Sequence, residues 1–170
     1  KSYHFNYLVT CFEIDQFDSL VLIAGVVGNQ MGRNDPLNTY FQNMQMINTA
    51  CSLMTFASRD LHLYYFSSSD VDGTISMTKP SIFSPKISSP KTVYGLSKLH
   101  ASEYLKSLKS QGLLNSTIIY LGMHESFNRS GDYVLSKIKQ IVSDKRAGKD
   151  LVPRSFGNLN IYLDIGFAQD

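Results

Sequence analysis

The sequence predicts an α/β chain on a parallel sheet, doubly wound with helices on both faces, and three observations carry that prediction. Ser19 to Val27 reads SLVLIAGVV, an unbroken aliphatic and β-branched run of the kind buried on both faces of a parallel sheet. Apolar residues then recur every three or four positions, at Leu37, Tyr40, Phe41, Met44, Ile47, Cys51 and Met54. The two periods alternate along the rest of the chain, as they do when crossover helices link parallel strands.

Each element has a local cause. Asp35 before Pro36 pairs an N-cap with proline at the first helical position, so the first long helix starts there. Leu61 to Phe66 is the next strand and runs into Ser67, Ser68, Ser69 and Asp70. A serine- and proline-rich loop covers Gly73 to Ser89. A second helix begins near Pro90, carries Tyr94, Lys98, Tyr104, Leu105 and Leu108, and stops near Gly112. Thr117 to Leu121 is a third strand. Asp132 to Arg146 is a third helix with Val134, Ile138, Ile141 and Val142 on one face, ended by Gly148. Ser155 to Ile165 reads as extended. No repeat or linker divides the chain, so residues 1–170 are expected to form a single domain.

Composition narrows the function classes. With 43% hydrophobic and 18% charged residues the chain can bury a core. The net charge of +2 and the scattered basic residues argue against a nucleic-acid partner. The cluster Lys137, Lys139, Lys145, Arg146 and Lys149 reads as a solvated helix face. Leu20 to Gly28 is too short to span a bilayer, so no membrane partner is expected. Cys11 and Cys51 have no metal-ligand spacing, which fits a cytoplasmic chain with free thiols and no metal.

The sharpest chemical pattern is Tyr94-Gly95-Leu96-Ser97-Lys98. Tyrosine and lysine four apart on a helix share one face. An ammonium beside a phenol favours phenolate, so Tyr94 can act as a general base near neutral pH. Ser68, at a strand end, can hydrogen-bond the oxygen that gains or loses the proton. Taken alone, the spacing also describes a half-buried tyrosine beside a solvated lysine.

In context the pattern resembles the short-chain dehydrogenase/reductase superfamily. The serines at 67–69 lie about 25 residues before the Tyr–Lys pair, within a Rossmann-like alternation. Leu22-Ile23-Ala24-Gly25 resembles the end of that family's fourth strand. Val27-Gly28 through Asn34-Asp35-Pro36, with Tyr40-Phe41-Gln42-Asn43-Met44, resembles the following loop and helix of the GDP-fucose synthases. Met123-His124-Glu125-Ser126-Phe127-Asn128-Arg129, with Tyr133-Val134 and Lys137-Ile138, resembles a motif of the GDP-mannose 4,6-dehydratases. Gly157-Asn158-Leu159 and the Asp164, Gly166, Ala168, Asp170 series are similar to that family's later segments.

The resemblance implies an internally recycled NADP or NAD and a nucleotide-sugar substrate of the GDP-mannose type. It implies that Ser68 is the catalytic serine, Asp70 the base at sugar C5, Tyr94 the acid/base of the hydride step, and Lys98 the ligand of the nicotinamide ribose. It also places Ala24, Gly25 and His124 at the cofactor, and Glu125, Ser126 and Lys137 at the sugar nucleotide. The helices bearing Tyr40 to Met54 and Tyr94 to Leu108 match those that pair subunits, which implies a homodimer or higher homo-oligomer.

The match has gaps. The family's Gly-x-x-Gly-x-x-Gly fingerprint belongs before the segment that Leu22 to Gly25 matches. Only about twenty residues precede it here, none of them glycine, so the pyrophosphate-binding unit is expected to be absent. The small substrate domain is likewise expected to be absent. Met123 stands for the motif's asparagine, Leu163 for an arginine, and Asp70 for a longer glutamate. A lyase of the dehydratase type is the first expectation. The alternatives are an inactive remnant serving as an interaction or dimerisation module, and a nucleotide-sugar epimerase or reductase of the same fold.

Overall fold

The computed structural model describes residues 14–26, 34–57, 60–72, 90–126, 133–150, 152–156 and 165–168. These fall into two units. The first holds strands β1 (Ser19–Leu22), β2 (His62–Ser68) and β3 (Asn115–Leu121), with helices α1 (Pro36–Phe56) and α2 (Val93–Ser110). The second holds β4 (Met123–Glu125), β5 (Ile165–Phe167) and helix α3 (Val134–Arg146).

In the first unit the strands pair in parallel in the order β1-β2-β3, with Leu22 opposite Tyr65 and Ser68 opposite Leu121. Alternate strand residues therefore share a face. Leu63 and Tyr65 join Ile47, Ala50 and Cys51 of α1 and Ala101 and Leu105 of α2 in one core, with Leu20, Leu22 and Ile118 packed beside it. Both helices thus cover the same face of the sheet. Tyr64 and Val21, which alternate with those core residues, are exposed. Helices on both faces were expected from the sequence; the described residues supply them on one.

Helix ends follow from capping. The Asp35 carboxylate accepts from the Asn38 amide at 3.1 Å, with Pro36 behind it. Thr92, rather than a residue at Pro90, caps α2 by accepting from the Gly95 amide at 2.9 Å. Gly112 and Gly148 take φ of 69° and 66°. Each follows the paired-bond pattern of a Schellman stop: Gly112 donates to Lys109 and Leu113 to Leu108, while Gly148 donates to Lys145 and Lys149 to Asp144.

The inner face of α1 differs from the apolar spacing. Ile47 and Cys51 are buried, but so are Thr39 and Asn43, while Leu37 and Phe41 point outward at 72% and 66% exposure. β2 also runs two residues further than expected, to Ser68, which carries the serines onto the strand itself.

In the second unit β4 and β5 pair in parallel, with His124 opposite Gly166, and the Ala168 amide donates to the Glu125 carbonyl at 2.8 Å. Of the extended stretch expected over 155–165, Ile165 opens β5; residues 157–164 lie outside the described residues, as do 27–33 and 73–89. None of the α3 residues is fully buried, and Asp144 meets Lys149 at 3.8 Å and Arg154 at 3.9 Å. Among the described residues no helix is long and apolar enough to cross a membrane, and no cluster of side chains is arranged to hold a metal ion.

Candidate active site at the strand ends

Three segments converge at the carboxyl end of β2. The first is the turn after the strand. Ser68 caps a short 3-10 turn over Ser69–Val71, its hydroxyl oxygen accepting from the Asp70 amide at 3.2 Å. That bond occupies a lone pair and leaves the O–H proton available to donate.

The second is the start of α2. A Cβ built on Gly95 stands 2.5 Å from the Asp70 carbonyl oxygen, so only glycine lets the helix approach the turn this closely. Tyr94 is the residue just before this contact. Lys98, one turn on, is 4% exposed and donates to the Phe66 carbonyl of β2 at 3.0 Å. Its ammonium lies 5.9 Å from the Tyr94 ring centroid. Burial pushes Lys98 down to about 8 from an ordinary 10.5. The helix is tied to the strand a turn further along. Ser67 and Ser102 hydroxyls meet at 3.0 Å, and Ser102 donates to the Lys98 carbonyl at 2.8 Å.

The third segment follows β1. Asn43, buried on α1, accepts from the Val26 amide at 2.7 Å and donates to the Val26 carbonyl at 3.2 Å. It also donates to Ser97 Oγ at 3.0 Å, and Ser97 donates to the Tyr94 carbonyl at 2.7 Å. Asn43 therefore links the loop to the helix that carries the Tyr–Lys pair. A Cβ on Gly25 stands 3.3 Å from Asn43 Oδ1 and 3.4 Å from Lys98 Nζ, which places this loop against the ammonium. Ala24 beside it is exposed. Sequence reading named Asn43 only as part of a matching segment. The signal it offered was a polar residue on the inner stripe of an apolar helix.

The Asp70 side chain is at the surface, yet partial burial raises its carboxyl above the usual carboxylate range. The remaining predicted residues belong to the second unit. Glu125 is buried, His124 is exposed with Nδ1 3.4 Å from the Gly122 carbonyl, and Ser126 is half-buried. Lys137 donates to the Ser155 carbonyl at 3.2 Å.

Lys98 has three N–H donors and Phe66 takes one, so among the described residues two could meet the hydroxyls of a bound dinucleotide. Gly28 and Gly32, which follow the Gly25 loop, lie outside the described residues.

A parallel sheet whose site lies at the carboxyl ends of its strands is Rossmann-like. Residues 6–170 match the NAD dependent epimerase/dehydratase family, and the chain belongs to it. No curated protein sequence matches. Among solved structures, RMD from Pseudomonas aeruginosa complexed with NADPH is similar at TM-score 0.68 and 20% identity, over 78% of this chain and 46% of that one. UDP-glucose 4-epimerase from Brucella ovis in complex with NAD is similar at 0.59 and 19%, over 76% and 37%. UDP-glucuronic acid 4-epimerase from Bacillus cereus, in complex with UDP-glucuronic acid and NAD, is similar at 0.64 and 12%, over 83% and 44%. The chain spans less than half the length of each.

Proposed function

We propose that this chain carries the catalytic part of a nucleotide-sugar 4,6-dehydratase of the GDP-mannose type, working with NADP or NAD. The observation that carries the reading is the convergence of Ser68, Asp70, Tyr94 and Lys98 at one strand end. The bound dinucleotide supplies a hydride acceptor for sugar C4 and, later in the same turnover, a hydride donor for C6.

The chain's own residues move the protons. Ser68 donates its O–H to the C4 oxygen and orients it. Tyr94 takes the C4 hydroxyl proton, with the Lys98 ammonium beside the phenol favouring phenolate. Asp70 removes the C5 proton, the C6 hydroxyl leaves as water with the proton that Tyr94 took from O4, and Asp70 then returns its proton to C5. A carboxyl held above the usual range is a stronger base than an ordinary aspartate, which suits carbon acid chemistry. In the second unit, Glu125, Ser126 and Lys137 are assigned to the sugar nucleotide and His124 to the cofactor side. A homodimer through α1 and α2 belongs to the same reading, supported by the outward-facing Leu37 and Phe41.

The test is turnover of GDP-mannose to a 4-keto-6-deoxy sugar, followed by the alkaline absorbance of the product. Asp70→Asn separates dehydration from epimerisation. A dehydratase loses elimination but still exchanges hydride at C4, whereas an epimerase is little affected. Unchanged elimination in Asp70→Asn removes Asp70 from the mechanism.

A further inference from the structure

Tyr65 has no part in the chemistry above, yet among the described residues its ring is the aromatic face closest to the Lys98 ammonium. It lies on β2, 3% exposed, and Lys98 Nζ stands 5.0 Å from its ring centroid against 5.9 Å for Tyr94. Lys98 is as deeply buried and, among the described residues, has no carboxylate partner; its acceptor is the Phe66 carbonyl. One carbonyl is poor compensation for a desolvated ammonium. An aromatic face within about 6 Å attracts a cation through the ring quadrupole, more strongly when water is excluded.

The titratable groups around this ammonium come from every packed element. Tyr65 is on β2, and Tyr94 is on the same helix as Lys98. Tyr120 of β3 interacts electrostatically with Tyr65. Cys51 of α1 shares the core, and Asp70 belongs to the turn against Gly95. Burial raises both the Tyr65 phenol and the Cys51 thiol, the latter to about 11, so both stay neutral near pH 8. Tyr65 therefore acts on the ammonium through its ring and not as a phenolate.

We propose that Tyr65 is a positioning residue whose ring face, through a cation–π contact, keeps the Lys98 ammonium charged and held beside Tyr94. The functional consequence rests on the Tyr94–Lys98 pair being the acid–base machinery. The contact itself is testable without turnover.

The experiment follows the Lys98 titration by NMR in the purified chain with isotope-labelled lysine. Position 65 carries tyrosine, phenylalanine (Tyr65→Phe), and mono-, di- and trifluorophenylalanine in turn. Fluorination drains the negative ring face and leaves its size nearly constant, so folding is preserved; thermal melts verify this. Tyr65→Phe is expected to titrate close to wild type. The fluorinated series is expected to lower the Lys98 midpoint stepwise, by about one pH unit overall. A midpoint that is the same across the fluorinated series overturns the proposal and leaves Tyr65 as core packing. If the stepwise fall is seen in a chain that binds no NADPH, the cation–π contact stands and the functional reading fails.

Discussion

Among the described residues, the buried Lys98 ammonium makes stability depend on pH in the alkaline range. Lys98 titrates at about 8 when folded and near 10.5 when exposed. Below the folded value it is charged in both states, and the full desolvation cost weighs on the native state. Between the two values the native state releases its proton first, so the unfolded state binds more protons and stability rises with pH. Lys98→Met lacks this term. The variant is expected to be more stable than wild type at pH 7 by about 1–2 kcal/mol, after allowing for the lost Phe66 bond. Wild type then gains about 3 kcal/mol on it by pH 11, read from urea midpoints. Turnover needs the charged form and is expected to decline above about pH 8. Tyr94→Phe is expected to cut turnover by about 10³-fold with sugar-nucleotide affinity nearly unchanged, as judged by calorimetry. Ser116 Oγ is buried with no hydrogen-bond partner among the described residues, so Ser116→Ala should raise stability by about 1 kcal/mol.

At the scale of elements, the site exists because α2 is pressed against the turn after β2 and α1 is clamped to the loop after β1. Gly95→Ala drives a methyl into the Asp70 carbonyl, whose backbone cannot swing aside. The expected cost is about 2–3 kcal/mol in denaturant unfolding, with loss of turnover as Tyr94 is displaced. Asn43→Ala leaves the Val26 amide and carbonyl without their side-chain partner and is expected to cost a similar amount. The helix limits were legible because their signals are local: Asp35 with Pro36 at one end, Gly112 and Gly148 at others. The buried face of α1 was not. Apolar periodicity favours Leu37 and Phe41, whereas hydrogen bonding to Val26 and Ser97 draws Asn43 inward. No one-dimensional pattern announces a tertiary hydrogen bond to a loop 17 residues away.

For the whole molecule, the alternation of strand and helix periods was enough to give a parallel α/β fold, and the family match agrees with it. Two features needed coordinates. Both helices of the first unit cover one face of the sheet, which the apolar character of Ser19 to Val27 does not reveal, since Val21 is exposed. Lys98 was legible in sequence as the partner of Tyr94, but its burial was not: that comes from the approach of α2 to β2.

Whether this strand end holds the cofactor is tested by a fluorescence titration of the purified chain with NADPH, run beside Lys98→Met. Saturable binding is expected below millimolar cofactor, weakened at least about tenfold in the variant by loss of a charged hydrogen-bond donor. No saturation at millimolar NADPH, or equal binding by both chains, would contradict the assignment of this strand end as the nicotinamide site.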